Sequence, residues 1–339
     1  MTPIEVLAMS ADELEAEIVR HDAAYAAGAP IIEDTLYDLM VEQLRAQRPA
    51  SPVLQRVGAG EAELSPDGAK VTHEHVMLSL DKCYSEAELR RWFERFDGAA
   101  VASHKIDGVA LSLRYDAGGE LSLAATRGTG RVGEVVTDNA RYIGGVPAQV
   151  SRGGIEVRGE VYMPVSTFRE RYAEKFANPR NLAAGALKQK DPEKTGAYGL
   201  RFFAYEALGL DDIATEWDKR DALAQLGFEP SPGQRCTVDD AQATFDTLSA
   251  ARESNDFETD GIVFKVDDCA RYVELGLTAH HPRGAIAYKY QGESGFSKLV
   301  DVAWSVSRSG AVNPIALIEP VSLSGVRVSR VSLHNLAII

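Results

Sequence analysis

The stretch SHKIDGVALSLRY, residues 103–115, decides how the rest of the chain is read. Side chains alternate along an extended strand, so Lys105 and Asp107 are expected on one side of it. Gly108 leaves the backbone open to close approach. The alternating VALSLRY predicts a second strand at once, which places K-x-D-G at the mouth of a β-hairpin. Alone, such a tetrapeptide is more often a surface ion pair than a reactive centre. A reactive Lys105 also makes demands on its surroundings. An ammonium has no free electron pair, so its environment must favour the neutral amine or take up the proton during reaction. If the target is a phosphate, further cations or a metal must hold the transition-state charge.

Five other segments meet those demands. TRGTGRVGE, 126–134, is a glycine-rich loop from which Arg127 can reach a phosphate, although such loops are more often only turns. RGEVYM, 158–163, sets Arg158 and Glu160 on one strand face, where Glu160 can place a ribose hydroxyl or a metal-bound water; a cross-strand ion pair is the structural alternative. NPRNLAAGALKQ, 178–189, starts a helix with Asn178 as its cap and Pro179 at the first helical position. Arg180 then sits at the positive helix end, suited to an anion, and the small residues after it predict close helix packing. DGIVFKVDD, 260–268, flanks a buried strand with Asp260 and Lys265. AIAYKYQ, 285–291, puts Lys289 in an apolar strand, where an unpaired lysine is costly. Taken singly, each segment is more often structural. Five in order along a series of strands favour one site.

The surrounding pattern is α+β. SADE at 10–13 has the capping-box form and opens a helix to about residue 27. Asp34 caps a second helix to about Gln47, stopped by Pro49. Ile18, Tyr25, Tyr37, Met40, Val41 and Leu44 are expected to pack the two as a helical hairpin. Residues 49–70 read as a linker, and SEAE at 85–88 begins a helix that buries Leu89, Trp92, Phe93 and Phe96. Strands are predicted at VASHKI, VALSLRYD, ELSLAAT, IEVRGEVYM, RFFAYEAL, DGIVFKVDD and AIAYKYQG, with helices at about 166–175, 178–189, 216–226 and 239–252. After residue 297 only strands remain: LVDVAWSVSR, NPIALIEPV and VRVSRVSLHN. Three strands begin a small β-barrel but cannot close one.

Composition narrows the function classes. The 339 residues are 45% hydrophobic and 25% charged, which is ordinary for a globular protein. No apolar run reaches the length of a membrane span and no signal-peptide core opens the chain, so a cytoplasmic protein without a membrane partner is expected. Cys83, Cys236 and Cys269 lie far apart and form no C-x-x-C pair, so no zinc site is expected. The net charge of −14 opposes a broad phosphate-binding surface. Residues 296–339 carry +2, leaving −16 on the rest, so that tail is the better landing place for a nucleic acid.

Long motifs add a resemblance. YDLM, QRVG, MLSLDKCYSEAEL, HKIDGVALSLRY, FANPRNLAAGALKQ, DGIVFKV, AIAYKYQ, SRSGAVNPIALIEPV and VSRVSLHN resemble those of the bacterial NAD-dependent DNA ligases, within the nucleotidyltransferase superfamily. The resemblance implies a helical hairpin that binds nicotinamide mononucleotide over 1–60. A mixed-sheet, ATP-grasp-like nucleotidyltransferase domain follows over 61–296, and an incomplete OB-fold barrel over 297–339. It implies that Lys105 attacks the α-phosphate of NAD, becomes AMP-lysine and expels nicotinamide mononucleotide. AMP then passes to the 5′-phosphate of a DNA nick, and the 3′-hydroxyl displaces it, in replication or repair. Magnesium serves all three steps. Asp107 and Glu160 stand near that metal; Lys265 and Lys289 stand near the α-phosphate. Ser79, Leu80, Arg127, Glu160 and Asp260 match cofactor-side positions, and Tyr25, Asp34, Tyr37 and Asp38 match the nicotinamide mononucleotide pocket. Arg180, Lys188 and Arg308 match DNA- or phosphate-contacting positions.

Departures from the family pattern carry expectations of their own. Ser103 replaces the usual glutamate near adenine, so adenine recognition must come from backbone or another side chain. Ala24 replaces one member of an aromatic pair. Lys188 stands where arginine is common, a point charge in place of a bidentate fork. Ser309 stands where threonine is usual. The chain stops inside the OB-fold, so a monomer that binds nicked duplex weakly and adenylates itself better than it seals nicks is expected. A degenerate nucleotide-binding or regulatory paralogue is the alternative. A preference for ATP is opposed by DTLYD in the amino-terminal hairpin.

Overall fold

The computed structural model describes residues 6–7, 9–26, 34–49, 51, 53–54, 69–176, 178–278, 281–290, 295–306, 312–323 and 326–333. For 22–26, 34, 35, 38, 42, 305, 306, 312, 313, 322, 323, 326, 327 and 332 it gives the backbone alone. The strands are β1 (Lys70–Thr72), β2 (Asp81–Cys83), β3 (Ala100–Ile106), β4 (Val109–Tyr115), β5 (Leu121–Thr126), β6 (Val132–Glu134), β7 (Ile155–Tyr162), β8 (Arg201–Leu208), β9 (Gly233–Cys236), β10 (Thr259–Val266), β11 (Ala285–Lys289), β12 (Leu299–Val306), β13 (Val312–Leu323) and β14 (Val326–Ser332). The chain divides into two compact units, residues 1–289 and 290–339.

Two sheets dominate the first unit. One has the order β2-β11-β10-β3-β9, antiparallel apart from the β11–β2 pair. Its apolar face, with Ala100, Ala102, Ile262, Phe264 and Ile286, packs on Leu89, Trp92 and Phe93 of the helix Glu86–Phe93 and on Leu248 of the helix Ala241–Ala250. The other has the order β5-β4-β7-β8 and is antiparallel throughout. Leu111, Leu113, Val157, Val161 and Phe202 form its core with Leu182, Ala183, Ala186 and Leu187 of the helix Pro179–Leu187. Of the small residues of that helix, Ala183 and Ala186 are buried against the sheet, whereas Ala184 is half-buried and Gly185 is exposed.

The hairpin expected after Lys105 does not form. β3 pairs with β9 and β10, whereas β4 pairs with β5 and β7, so the chain crosses from one sheet to the other at Asp107–Gly108. A Cβ on Gly108 would lie 2.2 Å from the Val161 carbonyl oxygen. Gly108 is therefore required by the backbone of β7. β3 ends at Ile106, so strand alternation does not place Asp107; its N–H donates to the Glu258 carbonyl at 2.8 Å instead. Beneath the crossing, Ile106 packs with Tyr162, Phe203 and Phe257, and the Tyr162 and Phe203 rings stack at 4.8 Å.

The amino-terminal helices Ala11–Ala26 and Asp34–Gln47 bury Leu14, Ile18, Tyr37, Met40, Val41 and Leu44 together. The Ser10 and Glu13 capping box is reciprocal, with Ser10 N–H donating to Glu13 Oε2 at 2.8 Å and Glu13 N–H to Ser10 Oγ at 3.4 Å. Asn178 and Ser85 cap their helices as expected, with Pro179 at the start of the former. In the second unit β12, β13 and β14 form an antiparallel sheet in that order. Among the described residues no helix is long and apolar enough to cross a membrane.

Candidate active site

The site begins with a β-bulge. On β10, Thr259 pairs with Ile106 and Gly261 with Lys105, which leaves Asp260 as an extra residue between them. A bulge re-aims the side chain it carries. Here it turns the Asp260 carboxylate to Lys105, whose Nζ lies 3.1 and 3.2 Å from its two oxygens. Lys289, paired with Gly261 from β11, also donates to Asp260. This is the partner that a lysine in an apolar strand requires. Burial works to raise the Asp260 pKa, but the two ammoniums outweigh it and hold the carboxyl below its ordinary range.

Glu160 faces this group from β7 of the other sheet. Burial pushes its pKa up to about 7, opposed by Lys105 and Arg180 and reinforced by Asp107 and Asp260. Those influences place Lys105, Asp107, Glu160, Arg180 and Asp260 around one cleft. Arg180 reaches it from the first turn of the helix Pro179–Leu187 and meets Asp107 at 3.2 Å. Arg158, two residues before Glu160, takes the structural role: it pairs with Glu156 at 2.7 Å and with Glu206 at 3.3 Å.

Lys265 occupies the same face of β10 four residues beyond Gly261, about 13 Å along the strand. It meets Glu206 at 3.3 Å and Glu216 at 3.0 Å, and lies 4.7 Å from the centre of the Tyr272 ring. Burial opposes its charge, yet the two carboxylates hold the ammonium pKa above its ordinary value. The Lys265–Glu206 pair thus bridges the two sheets at the far end of the cleft, so Lys265 does not stand beside Lys105 and Lys289 at the expected α-phosphate position. A cavity of about 1070 Å³ adjoins it, lined among others by Glu206, Glu216, Lys265 and Tyr272.

Other expected residues lie in separate contacts. Arg127 donates to Ser79 Oγ at 2.9 Å and to the Met77 carbonyl at 3.1 Å, which brings two candidate residues together next to Leu80. Lys188 pairs with the buried Glu134. Tyr37 is buried in the two-helix core. The side chains of Tyr25, Asp34 and Asp38, and Arg308 entirely, lie outside the described residues. Among the described residues no group of three or more His, Cys, Asp or Glu side chains is placed to hold a metal ion.

Sequence reasoning missed Glu206 and Tyr205. Both stand in RFFAYEAL, and the signal was available, since a carboxylate in an apolar strand needs a partner as much as Lys289 does.

The family model for the NAD-dependent DNA ligase adenylation domain matches residues 67–293. The chain belongs to the NAD-dependent DNA ligase family. The model for the OB-fold domain of NAD-dependent DNA ligases matches residues 296–339. The DNA ligase of Bacillus velezensis is 38% identical over 352 residues, covering 96% of this chain and 52% of the relative. That of Bacillus subtilis is 38% identical over 358 residues, with 98% and 53% covered. That of Roseiflexus sp. is 39% identical over 356 residues, with 92% and 48% covered. This member of the NAD-dependent ligases therefore spans about half the length of the curated relatives it matches.

Proposed function

We propose that this chain carries the adenylating half of an NAD-dependent DNA ligase, with Lys105 as the nucleophile. The observation that carries this reading is the bulged Asp260, which holds Lys105 and Lys289 in the cleft opposite Glu160. Nζ of Lys105 attacks the α-phosphorus of NAD and a nitrogen–phosphorus bond forms. The bond from that phosphorus to the bridging oxygen breaks, and nicotinamide mononucleotide leaves with the electron pair. The lysine proton passes along its hydrogen bond to Asp260 and on to water. Lys289 and Arg180 face the negative charge that gathers on the phosphate. AMP is then carried to the 5′-phosphate of a nick in duplex DNA, and the 3′-hydroxyl displaces it to seal the strand.

Asp107 and Glu160 suit magnesium, which is commonly held by one or two carboxylates together with phosphates and water rather than by a protein cage. Asp107, paired with Arg180 at 3.2 Å, and Glu160, whose Cγ lies at the crossing beside Gly108, bring their carboxyls to the same cleft. Bound there, the ion would neutralise phosphate charge. Arg127, Ser79 and Leu80 serve the cofactor side, and Tyr25, Asp34, Tyr37 and Asp38 the nicotinamide half. The division proposed is a helical hairpin over 1–60, an ATP-grasp-like nucleotidyltransferase domain over 61–296 and the beginning of an OB-fold over 297–339. The working protein is a cytoplasmic monomer acting in replication or repair.

The test is intact mass spectrometry after incubation with NAD and magnesium. The expected result is a gain of one adenylate, absent in Lys105→Ala. No gain in protein first stripped of bound AMP, or an equal gain in the variant, would remove Lys105 from its role.

A further inference from the structure

We propose that Glu206 selects the base of the dinucleotide, its carboxylate accepting a hydrogen bond from the exocyclic amine of adenine while Lys265 donates to the adjacent ring nitrogen. The inference rests on the adenylation reading above and names a residue that does what Ser103 cannot.

The register of the five-stranded sheet defines the floor. Lys105 pairs with Gly261, Ser103 with Val263, and Val101 with Lys265. Alternate residues share a face, so Ser103 and Val263 lie between the lysine that meets phosphate and Lys265. Both are shorter than the lysines at either end. The distance between the levels of Lys105 and Lys265, about 13 Å, is on the scale of a nucleoside monophosphate.

The opposite wall comes from β7 and β8. Gly159 pairs with Ala204 and Arg158 with Glu206, so Tyr205 is the extra residue of a second bulge. It is 41% exposed, directly precedes Glu206, and its phenol also feels Glu160. An aromatic ring flanked by the phosphate-end and far-end carboxylates offers a stacking surface for a base.

At the far end stand one acceptor and one donor, 3.3 Å apart. Neither is loose. Arg158 fixes Glu206 at 3.3 Å, and Glu216 fixes Lys265 at 3.0 Å. Although burial opposes ionisation of Glu206, Lys265 and Arg158 hold its pKa below the ordinary range, so it accepts and does not donate. An amine beside a ring acceptor complements that pair. A base with an oxygen in place of the amine would set two acceptors against each other. Ser103 makes no such distinction, because a hydroxyl both donates and accepts.

The experiment compares NAD with nicotinamide hypoxanthine dinucleotide, in which that amine is an oxygen. Labelling of Lys105 is followed by intact mass, with magnesium, over a range of dinucleotide concentrations. The unaltered chain should favour NAD by about 10- to 100-fold, the scale of one hydrogen bond to a charged acceptor. In Glu206→Gln, whose amide can also donate, the preference should fall about tenfold, to the part that Lys265 keeps by facing the ring N–H of hypoxanthine, with thermal melting checked alongside. A preference that survives unchanged in Glu206→Gln overturns the assignment. Equal labelling of the unaltered chain by both dinucleotides overturns it too, and needs no variant to fold. No labelling by either would remove the adenylation reading itself and this inference with it.

Discussion

Asp260 shows how one residue can organise a site. As the extra residue of a bulge it presents a single carboxylate to two lysines that belong to neighbouring strands. Asp260→Asn removes the anion and leaves the ammoniums facing each other, so adenylation by NAD should fall by about 10² or more, measured as the initial rate of the mass gain. A rate within twofold of the unaltered chain would sink the assignment. His104, adjacent to Lys105 in sequence but turned to the other side of the sheet, illustrates a second property of single residues. It is 5% exposed, its ring packs edge-on against Phe257 at 5.5 Å, and burial lowers its pKa. The unfolded chain takes up the imidazole proton near pH 6.5, whereas the folded chain resists until a lower pH. The stability contributed by neutral His104 is therefore present above pH 6.5 and is lost as pH falls through the folded pKa. Melting temperature should drop between pH 7 and 5, and His104→Phe should flatten that slope. Burial lowers the pKa of His73 and His21 in the same direction, so the slope should shrink without vanishing.

At the scale of elements, the crossing between the sheets is the feature on which the cleft depends. Gly108→Ala would drive its Cβ to 2.2 Å from a carbonyl oxygen of β7 and to 3.0 Å from Glu160 Cγ. Neither backbone can yield cheaply, so a loss of about 2–4 kcal/mol is expected in denaturant unfolding. Adenylation should fall further than stability does, because Lys105 and Glu160 are moved apart. A variant with unchanged stability would show that the two backbones are not held at this distance. The crossing also marks the limit of what alternation can reveal. VASHKI, VALSLRY and RFFAYEAL are legible as strands because apolar side chains repeat with period two, and the capped helices are legible because Ser10, Ser85 and Asn178 announce them. Which strand pairs with which depends on contacts far apart in sequence, and K-x-D-G between two strands reads locally as a hairpin turn. The short polar strands β1, β2, β6 and β9 have too few residues for periodicity, and they are set by the partners they add to. Site residues followed the same rule. Lys105 and Asp107 stand out through K-x-D-G, Lys289 because a charge in an apolar strand needs a partner, and Arg180 because it opens a helix; the fold brings them to one cleft with Asp260 and Glu160. Glu206 carried the same signal as Lys289, but the Lys265 that explains it lies 59 residues away.

For the whole molecule, charge decides how nucleic acid can be met. A chain of net charge −14 repels a duplex at long range, so binding must come from a few cations that are free to exchange partners. Arg180 and Lys188 look equivalent in sequence, eight positions apart in one motif, yet the fold commits them differently. The Arg180 side chain is 59% exposed and pairs with a partly exposed Asp107, a contact worth about 0–1 kcal/mol and readily exchanged for phosphate. Lys188 is paired with Glu134, whose side chain is only 4% exposed, and releasing it would leave a buried carboxylate less well compensated. Binding to a nicked duplex, measured by fluorescence anisotropy between about 50 and 200 mM salt, should weaken linearly on logarithmic axes. Arg180→Ala should lower the slope by about 0.9, the value of one phosphate contact. Lys188→Ala should leave the slope unchanged and instead destabilise the fold by about 1–3 kcal/mol. If Lys188→Ala lowers the slope as Arg180→Ala does, the buried pair opens on binding, and Glu134 then acts as a holder that gives up its lysine to the DNA.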